Sequence, residues 1–200
     1  GGSLITKSWI LTAAEVHCFF SFTCRTAFAS ISLHPAEEVE IKAKPLIYTD
    51  TVRIHDIMLL QLPHTFDIQP IQLSDCDTRP KINFQDSFSK HFMLSSLEPS
   101  KSPTLHCANV NVVDCENLRN TLREKYLAFY QLKKDHHWFC GQTPGVDICY
   151  RDSGGGVVSK DKIYGVISFL GDPDFVCKQS VAIMDLCNPE YKAWIQKHIS

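Results

Sequence analysis

Ser153 lies in the run Cys149-Tyr150-Arg151-Asp152-Ser153-Gly154-Gly155-Gly156, whose residue types suit covalent chemistry. A serine nucleophile needs a turn tight enough to expose its hydroxyl, with backbone N–H groups free to face a developing oxyanion. Glycines after the serine supply that freedom, because they lack the Cβ that restricts backbone angles. Taken alone, the run is equally a Ser-Gly-rich turn between two strands. Such a serine also needs a base and a group to orient that base. Upstream, His17 precedes Cys18, and Asp56 opens the apolar run Ile57-Met58-Leu59-Leu60. Asp147 adds a carboxylate six residues before Ser153. The remaining histidines carry less: His55 reads as the polar neighbour of Asp56, His34, His64, His91 and His106 are scattered, and His136-His137 reads as a solvated pair without a third metal ligand nearby.

The elements that must position these residues are short. Gly1 to Ile5 and Trp9 to Ala14, separated by Lys7-Ser8, predict a hairpin. Further strands are expected at Ala27 to Leu33, Val39 to Tyr48, Ile57 to Leu62, Phe92 to Ser96 and Leu105 to Val113. Gly156 to Ser159 and Ile163 to Leu170 flank the turn Lys160-Asp161-Lys162, and Val181 to Leu186 is one more strand. Strands this short, spaced by Pro, Asp, Ser and Gly, predict an all-β barrel or sandwich. Two helices interrupt them. Asp114 to Tyr130 places Leu118, Leu122, Tyr126 and Phe129 at helical spacing with Asp114 as cap, and Asn188-Pro189-Glu190 starts a terminal helix. Lys81 to Lys101 is the most irregular stretch and predicts long surface loops, and Trp138-Phe139 reads as a core or loop anchor.

The 200 residues, 44% hydrophobic and 21% charged, describe a globular chain. Their apolar runs are too short for a spanning helix. A formal charge of −2 gives no electrostatic footprint for nucleic acid. Nine scattered cysteines without a CxxC pair point to disulfides in an oxidising compartment, with at least one thiol left over.

Four motifs in order make the chain resemble the chymotrypsin/trypsin family of serine proteases over essentially its whole length. They are Gly1-Gly2-Ser3-Leu4-Ile5 with Trp9-Ile10-Leu11-Thr12-Ala13-Ala14, then His55-Asp56-Ile57-Met58-Leu59-Leu60, Asp152-Ser153-Gly154-Gly155, and Tyr191-Lys192-Ala193-Trp194-Ile195. The chain order His17, Asp56, Ser153 is that family's order. The resemblance implies two packed antiparallel Greek-key barrels: a first-barrel remnant over about 1–80, a second barrel over about 81–187 and a terminal helix over 188–199, all one peptidase domain. It implies a secreted or granule-stored, monomeric serine endopeptidase acting on peptides or proteins and met by protein inhibitors. No cofactor, metal, membrane or nucleic acid is implied. Ser153 would attack the scissile carbonyl, His17 would relay its proton and Asp56 would orient the imidazole. The oxyanion hole would be formed at Arg151 and Ser153. Asp147, with Ser168 and Leu170 on the pocket wall, would favour cleavage after Arg or Lys. The family's cysteine pairs imply Cys115–Cys140, Cys149–Cys177 and Cys76–Cys187, leaving Cys18, Cys24 and Cys107 without an assigned partner.

The chain departs from the family at four places. It reads Ala13-Ala14-Glu15-Val16-His17-Cys18 where the family has Ala-Ala-His-Cys, so counting from the strand puts Glu15 on the histidine's place, and counting back from Cys18 puts His17 there. Arg151 replaces a glycine beside the oxyanion hole. Leu170 replaces a glycine at the pocket entrance, where Val181 or Ala182 would narrow the opposite wall. The family's activation amine, which pairs with the aspartate matching Asp152, has no counterpart in these residues, so Asp152 is expected to be a buried, unpaired charge. These departures keep open a second class of function: an inactive homologue that binds proteins through the old cleft.

Overall fold

A computed structural model describes residues 1–16, 27–31, 37–77, 109–143, 152–171 and 180–200. The expected strand Phe92 to Ser96 and the loops of Lys81 to Lys101 lie outside them. The first half builds an antiparallel sheet from β1 (Ser3–Thr6), β2 (Trp9–Thr12), β5 (Leu46–Thr49) and β6 (Ile54–Gln61), in the order β1-β2-β6-β5. β3 (Ala27–Ile31) and β4 (Glu37–Ile41) pair as a separate ribbon. The second half builds a sheet in the order β10-β11-β12-β9-β8, from β8 (Asn111–Val113), β9 (Trp138–Gln142), β10 (Gly156–Ser159), β11 (Lys162–Leu170) and β12 (Val181–Asp185). A two-residue strand, β7 (Gln72–Leu73), joins β11 in parallel. The fold is mostly strands, in two main sheets with a terminal helix, as expected for an all-β chain; neither sheet closes into a barrel among the described residues.

Alternation along the strands sends side chains to opposite faces. On β6, Met58 and Leu60 pack with Ile10, Val39 and Leu62, whereas Ile57 and Leu59 pack with Leu11, Ile163, Val166, Met184 and Tyr191. The second group draws on both sheets and on the terminal helix, so β6 is buried on its two faces from His55 to Leu60, and its end residues Ile54 and Gln61 are exposed. β12 behaves alike: Ala182 and Met184 join that shared core, while Val181 and Ile183 join Val110, Val157 and Ile167.

Several expected elements are redrawn. The run Val39 to Tyr48 is two strands, β4 and β5, because Lys42-Ala43-Lys44-Pro45 breaks it. The single helix expected over Asp114 to Tyr130 is α1 (Glu116–Lys125) followed by α2 (Leu127–Lys133), with the break at Tyr126, whose φ of −135° and ψ of 49° leave the helical region. Asp114 lies one residue ahead of the N-cap Cys115; its carboxylate accepts the Glu116 N–H at 2.6 Å. Trp138-Phe139, expected as a core or loop anchor, opens β9, which pairs with β12 over four residues and with β8 over three and is an interior strand. α3 (Pro189–Ile199) starts on Asn188, whose side chain accepts from the N–H groups of Glu190 at 3.0 Å and Tyr191 at 3.3 Å.

Candidate active site

Ser153 is carried by a turn that two distant segments close. Gly154 has φ +85°, and a Cβ there would stand 2.2 Å from the Gly1 carbonyl oxygen and 2.3 Å from Thr12 Oγ1. Thr12 Oγ1 in turn donates to the Gly1 carbonyl at 2.6 Å, and the Gly1 nitrogen donates to the Ser153 carbonyl at 2.7 Å. From the other side, Gly154 N–H donates to the Ile167 carbonyl at 2.7 Å. The turn is thus pinned between the first hairpin and β11. Only glycine fits it.

Asp56 lies on β6 with its side chain 1% exposed, and both its oxygens are occupied. Oδ1 accepts the Glu15 N–H at 2.8 Å, and Oδ2 accepts the Ser168 hydroxyl. Glu15 sits in a single 3-10 turn (Ala14–Val16) directly after β2. Its Oε1 stands 2.9 Å from Ser153 Oγ. The Ser168 carbonyl, at 2.7 Å, is the competing acceptor for the one Ser153 hydroxyl proton. Lys133, the last residue of α2, brings its Nζ to 3.7 Å from Asp56 Oδ2 and 3.9 Å from Glu15 Oε2. Its side chain is 13% exposed and passes within cation–π reach of Phe129 and Phe169.

Two carboxylates therefore share one cation in a largely buried site. Burial first, and then the charge of Asp56, push the Glu15 carboxyl up to about 7; Lys133 and the Ser153 hydroxyl pull the other way. Glu15 accordingly changes protonation near neutrality, the range in which a side chain both accepts and returns protons efficiently.

The structure brings together Ser153, Asp56 and Ser168. Leu170 ends β11, partly exposed, and pairs with Val181 of β12. His17, Asp147, Arg151 and the pair Cys149 and Cys177 lie outside the described residues. Asp152 is buried and is engaged by other groups, so the expectation of an unpaired charge does not hold. Cys76 bonds Cys187 and Cys115 bonds Cys140, both with sulfurs 2.16 Å apart. Lys133 carries no signal in the sequence: nothing in its neighbourhood distinguishes it from the solvated lysine beside it, and its role depends on the helix break at Tyr126.

Next to Asp56, His55 organises a second polar cluster. Its Nε2–H donates to Asp50 at 2.8 Å, and its Nδ1 accepts from the Tyr191 hydroxyl at 2.5 Å, which itself accepts the His137 N–H at 3.1 Å. Burial raises the Tyr191 phenol well above its ordinary value. His136 stacks on His55 with ring centroids 4.3 Å apart and planes 11° off parallel. It is buried, neither ring nitrogen has a hydrogen-bond partner, and burial pushes it down to about 3. The pair expected to be solvated is thus half interior. No group of three or more His, Cys, Asp or Glu side chains able to hold a metal occurs among the described residues.

Comparison with known proteins gives one consistent picture. The family model described as Trypsin matches residues 1–195. Snake venom serine protease KN9 of Trimeresurus stejnegeri is 31% identical over 86% of this chain and 68% of its own. Kallikrein-8 of Mus musculus is 27% identical over 98% of this chain and 75% of its own. Among solved structures, the scabies mite inactivated protease paralogue S-I1 superposes with a TM-score of 0.71 at 20% identity, over 100% of this chain and 86% of that one.

Proposed function

This chain belongs to the trypsin family of serine proteases, and on that premise we propose that it is a serine endopeptidase working by acyl transfer through Ser153. The observation that carries the reading is the placement of the Ser153 hydroxyl against a proton acceptor that is itself hydrogen-bonded to buried Asp56. In this reading Ser153 attacks the carbonyl of a peptide bond, the amine leaves, and water releases the acyl group; no cofactor takes part. Specificity for Arg or Lys rests on Asp147 by resemblance, with Ser168 and Leu170 on the pocket wall. Arg151 and Ser153 would supply the oxyanion donors, and His17–Asp56–Ser153 is the triad that the family pattern implies. We read residues 1–200 as one peptidase domain, with its halves meeting near residue 80 and its helix at 188–199. Secretion or granule storage, a monomeric state and protein inhibitors as partners fit the disulfides and the family.

A second reading has its own observation in favour. Among the described residues the side chain against Ser153 is a carboxylate, and a non-cleaving homologue that binds peptides fits the same geometry. Covalent labelling by a fluorophosphonate probe decides between them. Label that disappears in Ser153→Ala supports the peptidase; a folded protein that never takes label supports the binding homologue.

A further inference from the structure

We propose that Glu15 is the general base and acid for Ser153 in this chain, with Asp56 and Lys133 as its positioning residues. The inference rests on reading Ser153 as the nucleophile and names the group that handles its proton. Glu15 Oε1 is 2.9 Å from Ser153 Oγ, inside the range at which a base takes a proton directly. The side chain is held from three directions. Asp56 fixes the backbone of the 3-10 turn through the Glu15 N–H, Ser168 holds the other oxygen of Asp56, and Lys133 reaches both carboxylates from the end of α2.

The step balances. As the bond from Ser153 Oγ to the acyl carbon forms, its proton passes to Oε1, and the carbonyl π pair moves onto oxygen. The neutral Glu15 carboxyl then gives that proton to the leaving amine as the C–N bond breaks. In deacylation a water loses a proton to Glu15, and the proton returns to Ser153 Oγ when the acid leaves. Glu15 ends as it began. A buried anion beside Glu15 favours this cycle for the reason it favours an imidazole cycle: an imidazole that takes a proton becomes a cation attracted to Asp56, and a carboxylate that takes one is relieved of repulsion from it. Lys133 keeps the reverse from winning, because without its charge the two acids would hold a proton permanently between them.

The test is the rate of fluorophosphonate labelling between pH 5 and 9 for the wild-type chain and for Glu15→Gln, Glu15→His, Lys133→Met and Ser153→Ala, each confirmed folded by a cooperative melt. The proposal expects Glu15→Gln to label at least about 100-fold more slowly than wild type, the scale of a lost general base. The wild-type rate should rise through a midpoint near 7. Lys133→Met should move that midpoint to higher pH. Glu15→Gln that labels like wild type, with the label still lost in Ser153→Ala, overturns the proposal and leaves Ser153 as nucleophile. So does a silent wild type that Glu15→His awakens. If neither wild type nor Glu15→His labels, or if Ser153→Ala labels like wild type, the nucleophile reading itself falls.

Discussion

Replacing His136 by phenylalanine should abolish a defined part of the protein's sensitivity to acid. The ring is 5% exposed, stacked on His55, and its two nitrogens meet no partner. Burial holds it down to about 3 from an ordinary 6.5; the charges of Lys133, His55 and Arg53 act in the same direction and Asp50 opposes them. The folded state therefore keeps this group neutral while the unfolded chain takes up a proton below pH 6.5. Stability is complete above that value and falls as pH drops toward about 3. At about 1.4 kcal/mol per pH unit the whole span amounts to about 5 kcal/mol, and the portion reached by pH 5 to about 2 kcal/mol. Phenylalanine keeps the stack and cannot titrate. Urea unfolding at pH 7.5 and pH 5.0 should show the wild type losing about 2 kcal/mol more than His136→Phe between the two conditions. At pH 7.5 the variant should be at least as stable, since it removes two buried nitrogens that bond to nothing. Equal losses in the two proteins would refute the reasoning, and would mean that His136 finds a partner or solvent in solution.

Gly154→Ala should cost the folded state several kcal/mol or prevent folding, because its Cβ would meet backbone and Thr12 within 2.3 Å at a positive φ; a thermal melt and Ser153 labelling both report it. Replacing Cys76 and Cys187 together by serine, which opens a loop of 111 residues, should lower unfolding free energy by about 2–5 kcal/mol, measured against the unmodified protein in denaturant. Asn188→Ala removes the acceptor for two amides of α3 and should cost about 1 kcal/mol, with hydrogen exchange rising first at Glu190 and Tyr191.

The sequence made the framework of this molecule legible where local chemistry sets it. Asn188-Pro189 starts a helix whatever surrounds it, and the turn Lys160-Asp161-Lys162 marks β10 and β11 before any contact is known. β9 escaped notice because Trp138-Phe139-Cys140-Gly141 is apolar without alternating, the pattern of a strand covered on both faces, which periodicity cannot separate from an anchor. The helix break at Tyr126 escaped for a similar reason: Leu118, Leu122, Tyr126 and Phe129 keep helical spacing through it. The Ser153 turn could be read because its glycines answer a backbone need. The pairing of Glu15 with Ser153 could only be posed as one of two alignments, since residues 138 apart in the chain meet through the fold. Lys133 and the His55–His136 stack were beyond reach for the same cause: both join the first sheet to α2 or the turn after it, and neither segment's own pattern refers to the other.

One phenol oxygen ties three parts of the chain into a single unit of inheritance. Tyr191 on α3 gives its proton to His55 on β6 and takes one from the His137 amide ahead of β9, while His55 passes its own proton to Asp50. Each donor has its acceptor, so no member can change alone without stranding its neighbour in the interior. A graft that exchanges the terminal helix with that of a relative must bring a matching residue at position 55. A lineage that drifts at one of these positions is expected to carry the compensating change at another. The terminal helix, far along the sequence from the first sheet, is for this reason part of the inherited setting of Asp56.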